Sequence, residues 1–420
     1  MKRSPYIVFL IMLTFFVISF LTNVMGPLIP DLIKDFSLTL TLVALLPFAF
    51  FIAYGVMSIP SGMMIEKYKE KKVMIAAFIV AFFGSLILAL FPNYLSAVGS
   101  LFLIGCGMAM LQVVINPLLR TAGGEENFAF YSVFAQLMFG FASFVSPLVY
   151  SKLIFAMGHD NQSNGLLTYL YKLVPPQLPW ISLYFFFVII CLLMIVVIIF
   201  SKFPTVELSQ EEKAGALQTH LNLFKNKEVV LYFIAVICYI GSEQGVANWI
   251  SQFLATYHGV NPQKEGAETI AYFWGLMTAG GVLGLLLLKI FDSRHLLIAF
   301  TGLTMVALAF ALLGSTSVAF IAFPMVGFFI SLLYPIIFSL ALNSVTEHHG
   351  SFSGILVTGI IGGAIVPLII GWLGDQVGLK GAMCFLFLTL GFILTIGFWA
   401  KPIINNKTIN LFKNKAGDPA

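Results

Sequence analysis

Glu243 makes the strongest chemical demand in this sequence. It sits in CYIGSEQGVANWISQF, residues 238 to 253, at the centre of an apolar run from Val229 to Tyr257. A carboxyl at that depth in a membrane span costs roughly 3 kcal/mol or more, so its presence calls for a function. Gln244, Asn248, Ser251 and Gln252 follow at i, i+4, i+7 and i+8, which places them on one helical face beside it. Amides and a hydroxyl in a row suit a ligand that both donates and accepts many hydrogen bonds, as a sugar does. LQVVINPLLR adds Gln112 and Asn116, four apart and so stacked, with Pro117 freeing backbone carbonyls just beyond. Asn23, Gln136 and Asn343 complete a ring of amides. Trp249 and Trp274 lie inside spans, where an indole face can stack on the C–H side of a pyranose. Each of these residues can instead serve as hydrogen-bonded glue between helices.

Other chemistries find no residues to carry them. No G-x-x-x-x-G-K-[ST] stretch occurs, so nothing cradles ATP phosphates and any driving force comes from an ion or from the substrate's own gradient. Cys106, Cys191, Cys238 and Cys384 fall in apolar runs without metal-ligand spacing, and His348 and His349 stand without further ligands. With no nucleophile–base pair and no metal cluster, the chain reads as no enzyme. Its expected partners are a small sugar and the lipid bilayer, with no metal and no cofactor beyond a coupling ion, sodium or proton. A net charge of +4, spread in short clusters, excludes nucleic acid.

These side chains need long apolar helices to hold them. With 60% apolar residues, 10% charged and 43 Phe in 420 residues, the composition is that of an all-α membrane protein. Runs of about 20 apolar residues place helices near 6–30, 43–65, 73–91, 96–119, 128–157, 180–200, 229–257, 268–291, 295–314, 317–345, 352–373 and 381–400. With the N-terminus inside, 17 of the 22 Lys and Arg fall in cytoplasmic loops, so both termini are expected in the cytoplasm of a multi-pass protein of the bacterial inner membrane. The charged stretch after the sixth helix divides the chain into a six-helix bundle (1–200), a linker (201–228), a second bundle (229–400) and a tail (401–420). SFVSPLV at 143–149 and AIVPLI at 364–369 echo each other and set Pro147 against Pro367. Two parallel, pseudo-symmetric halves of six helices form the layout of a major facilitator transporter, expected here as a monomer. GIIGGA at 359–364 and GCG at 105–107 read as small-residue faces for close helix packing.

LQVVINPLL at 111–119, GSEQGV at 241–246, YFWG at 272–275 and the stretch FSLALNSVTEHHGSFSGILVTGIIGGAIVPLIIGWLGDQVG at 338–378 resemble the fucose permease and glucose/galactose porter branch of the major facilitator superfamily. That resemblance implies hexose uptake coupled to protons or sodium. It places Gln112 where the family carries Glu or Gln, and Glu243 on the family's helix-7 glutamate. Three positions depart from it: Gly26 stands where the family has Asp, Phe139 where it has Asn, and residues 279–281 lack its Arg. Glu243 then reads as the acid left deep in a span, with Asp31 and Asp35 at the outer end of helix 1. It either carries a proton, sits charged beside sodium, or only accepts hydrogen bonds from sugar, which makes the protein a uniporter. The rival reading is an exporter of amphiphilic or lipophilic compounds, with Met138 and Phe139 lining a greasy cavity.

Overall fold

A computed structural model describes residues 4–124, 127–158, 173–204, 222–345 and 349–403. Most of the 201–228 linker, His348 and nearly all of the tail lie outside the described residues. Among the described residues twelve helices are long and apolar enough to cross a membrane. They are α1 (Pro5–Phe36), α2 (Leu40–Tyr68), α3 (Glu70–Leu90), α4 (Tyr94–Gly123), α5 (Phe128–Gly158) and α6 (Ile181–Phe200), then α7 (Lys227–Ala247, resuming as Ile250–His258), α8 (Pro262–Ile290), α9 (Ser293–Leu313), α10 (Thr316–Leu342), α11 (Ser351–Val377) and α12 (Leu379–Trp399). A bilayer leaves backbone groups no water to bond, so each span satisfies its own ladder and capping is confined to the ends. Thr39, Asn93, Asn226, Asn261 and Asp292 each accept a backbone N–H of the first turn that follows.

The first helix runs on to Phe36, past the expected stop at 30, because α1 breaks at Asn23–Val24 and restarts at Met25. Pro27 then falls in the first turn of the new segment, where its missing N–H costs nothing. α7 breaks in the matching place, at Asn248–Trp249, and α10 breaks at Ser331–Leu332.

Helix pairing repeats between the halves. In the first, α1 packs on α5, α2 on α4, and α3 on α4 and α6. In the second, α7 packs on α11, α8 on α10, and α9 on α10 and α12. Across the divide α2 meets α11 and α5 meets α8, the same pair of positions exchanged. Glycines make several of these crossings close: a Cβ on Gly107 would lie 2.5 Å from the Ala77 carbonyl, and one on Gly362 would collide with the Ile237 carbonyl.

One face of the bundle holds both ends of the described chain, shown by the Ser4 N–H on the Ala122 carbonyl, the Tyr6 hydroxyl against that of Ser201, and the Ile403 N–H on the Asn343 carbonyl. The opposite face is latched across the two halves. Asp375 at the end of α11 accepts the N–H groups of Leu40 (2.8 Å) and Thr41 (2.9 Å) and the Thr41 hydroxyl (2.5 Å), so it caps the start of α2. Asp31 on α1 accepts from the Tyr150 hydroxyl of α5 and, at 2.7 Å, from Gln263 Nε2 at the start of α8. A Cβ on Gly26 would sit 2.5 Å from the carbonyl of Ala247, so α1 and α7 lie backbone to backbone beneath this latch.

Glu243 is not, as the sequence suggests, the sole acid buried in a span, because the longer α1 carries Asp31 inside it at 6% exposure. Beside it Trp180, at the start of α6, is fully buried and donates its Nε1–H to Asp35 at 2.7 Å.

Candidate functional site

A cavity of about 580 Å³ lies between the halves, lined by α5 from the first and by α7, α8 and α10 from the second. Its lining spans Val133–Ser143, Tyr239–Glu243, Trp274–Leu285 and Ser331–Ser339, which are the middle and chain-end portions of those helices. The latched face closes it from the other side. α5 and α8 cross where Gly140 meets Thr278, and toward the chain-end face Val133, Val282 and Leu285 are exposed.

Of the residues singled out by sequence, Gln136, Glu243 and Trp274 line this cavity. Gln136 is exposed to it, while Trp274 is 4% exposed and its Nε1–H is a buried donor without a hydrogen-bond partner. A buried donor of this kind normally finds an acceptor, and the one at Trp274 borders the cavity. Asn23 stands at the break in α1 and donates its Nδ2–H to Ser143 Oγ of the lining at 2.9 Å, leaving its Oδ1 buried and unpartnered.

Gln244 does not line the cavity. It donates to a Glu243 carboxyl oxygen at 3.1 Å and so fixes that carboxyl from behind. Asn248 and Trp249 lie one turn further on, in the break of α7, with Asn248 Nδ2 and Trp249 Nε1 buried and unpartnered. That break divides the expected stripe: Ser251 donates to the Pro262 carbonyl (3.0 Å) and Gln252 to Thr256 Oγ1 (3.0 Å). Gln112 and Asn116 on α4 are half-buried and exposed, and neither is among the lining residues. Asn343 ends α10, donating weakly to Ser339 Oγ at 3.4 Å.

Sequence reasoning missed Tyr239, Tyr334, Ser143, Thr278, Ser331 and Ser339, all in the lining. Tyr239 was within reach, since it stands four residues before Glu243 and shares its face. Its hydroxyl faces the Glu243 carboxyl, and its ring packs against Tyr334 with centroids 5.4 Å apart at 38°. Tyr334 lies far away in sequence, and no spacing links the two. Phe139 does line the cavity, whereas Met138 packs into the helix core. The lining as a whole is largely apolar and aromatic, and Gln136, Ser143, Glu243, Thr278, Ser331 and Ser339 are set into it as its non-aromatic polar side chains.

Comparison with known proteins agrees with this architecture. Residues 11–366 match the model of the Major Facilitator Superfamily. The chain is 29% identical over 394 residues to the glucose/galactose transporter of Brucella abortus biovar 1 (strain 9-941), an alignment covering 92% of each chain. Among solved structures it is similar to the Escherichia coli fucose:proton symporter, at 23% identity and a TM-score of 0.65 over 95% of this chain and 100% of that one. It is also similar to a bacterial homologue of the human lysosomal transporter Spinster in an inward-facing, occupied conformation, at 16% identity and a TM-score of 0.78 over 95% and 97% of the two chains.

Proposed function

The chain belongs to the Major Facilitator Superfamily, an integral multi-pass membrane transporter and not an enzyme, and we propose that it moves a neutral hexose by alternating access, coupled to sodium or a proton at Glu243. One observation carries this reading: the cavity between the halves presents a lone carboxyl together with hydroxyls, an exposed amide and an indole whose N–H awaits an acceptor. Hydroxyl-rich ligands complete such a set, and the relatives named for glucose, galactose and fucose share the fold. The sugar contacts are Gln136, Trp274 and Glu243. Asn23 orients Ser143, and Gln244 orients Glu243.

With both chain ends in the cytoplasm of a bacterial inner membrane, the latched face is the outer one and the cavity is reached from inside. Transport then requires the halves to rock, breaking the Asp31 and Asp375 latches while the opposite face closes.

Proteoliposomes test the reading by comparing D-glucose and D-galactose counterflow with gradient-driven accumulation, sodium and pH varied separately. Glu243→Gln is expected to reduce accumulation far more than counterflow, because exchange needs no net movement of the ion. Accumulation that survives the substitution at full strength removes the coupling role and leaves a uniporter; absence of any sugar exchange removes the sugar itself.

A further inference from the structure

The charge lining the cavity is one-sided. Among the described residues Glu243 is its only acid, and no Lys, Arg or His lines it. Among the described residues the basic side chains stand at or near helix ends, and Glu243 enters no ion pair. Its partners are neutral, the Gln244 amide and the Tyr239 hydroxyl. Around it the lining is rich in rings: Tyr239 and Tyr334 as a pair, with Trp274, Phe338 and Phe139. A buried carboxylate without a counter-charge is unfavourable, and the faces of Tyr and Trp attract cations. The site is therefore short of one positive charge, which the ligand has to bring.

A coupling ion supplies that charge when the sugar is neutral. A protonated amine on the sugar supplies it equally well, and in the same molecule as the hydroxyls that suit Gln136, Thr278 and Trp274. We propose that the transporter also carries amino sugars, with the ammonium on Glu243 in the place of the coupling ion, so that an amino sugar crosses without one. One positive charge moves per cycle in both modes, as hexose plus cation or as the amino sugar alone. The inference rests on the reading of this cavity as a sugar site with Glu243 as its cation position.

D-glucosamine, D-glucose and N-acetyl-D-glucosamine are the probes, the last replacing the ammonium by a neutral amide. Strongly buffered, sodium-free liposomes carry the purified protein, an inside-negative potassium diffusion potential and a protonophore that brings protons to electrochemical equilibrium. D-glucose then has no driving force, whereas D-glucosamine is expected to concentrate, by up to tenfold at a potential of about 59 mV. Protein-free liposomes give the background. Glu243→Gln is expected to lower the ratio of glucosamine to glucose affinity at least tenfold. Tyr334→Leu, which removes a ring and keeps the acid, lowers the same ratio and serves should the first variant not fold. Glucose binding without glucosamine competition or accumulation overturns the amino-sugar inference and leaves the sugar reading standing. Glucosamine that accumulates no better than N-acetyl-D-glucosamine, or an unchanged affinity ratio in a folded variant, also overturns it. Failure of all three sugars to bind removes the sugar reading itself, and this inference with it.

Discussion

Side chains in the cavity divide into those that can meet a ligand and those that hold the first group in place. Gln136 is exposed to the cavity, so Gln136→Ala is expected to weaken sugar binding by about 1–3 kcal/mol, the cost of leaving a ligand hydroxyl unpaired. Asn116→Ala on α4 should leave it unchanged, since that residue lies outside the lining. Isothermal titration with D-glucose and D-galactose reads both; the reverse order of effects relocates the site to α4. Trp274→Phe keeps an aromatic face and deletes the unpartnered Nε1–H. Its expected loss is about 1 kcal/mol, the net worth of one hydrogen bond, and no loss at all means that the indole contributes only its face.

At the scale of helices, the breaks in α1 and α7 carry the argument. Each occurs at an asparagine that ends the first segment, Asn23 and Asn248, and each asparagine keeps a buried polar atom without a partner. Interrupted helices in corresponding positions of two repeats mark the ligand site in transporters, because the freed polar groups turn toward the centre. The segment after the α1 break is also where Gly26 stands in place of the acid that the family resemblance led one to expect. Here α1 lies against the α7 backbone, and any side chain at Gly26 meets the Ala247 carbonyl. Gly26→Ala is expected to destabilise this conformation by about 1–3 kcal/mol through overpacking. A melting temperature equal to that of the parent protein would show that the helices do not approach so closely.

For the whole molecule, the proposed transport cycle depends on the balance between the latched face and its opposite. Asp375 holds three donors of α2 from the other half, yet it is exposed, so each bond is worth less than a buried one. Asp375→Ala removes all three and should raise the population in which this face is open. Spin labels at Ser37 and Val377, on the two sides of the latch, report it by double electron–electron resonance: a longer-distance population should grow several-fold. An unaltered distance distribution assigns the closure to the Gly26–Ala247 packing and the Asp31 network instead.

The sequence by itself determined the twelve spans, the division into two sets of six and the chemical oddity of Glu243. All three are local properties: span length follows from bilayer thickness, and an isolated acid stands out in any apolar run. Tertiary structure alone decided which polar residues meet. Gln136 and Trp274 reach the cavity, whereas Gln112, Asn116 and Asn343 do not line it, because the rotation of each helix is set by the other helices it packs against. A regular 3.6-residue period drew Gln244, Asn248, Ser251 and Gln252 into one stripe; the break at Asn248–Trp249 separates them. Tyr334 could not be read beside Glu243 at all, since it stands on α10, three helices further along the chain, and only packing brings the two together. Helical periodicity fixes the face a residue occupies, and only packing between helices fixes what that face looks at.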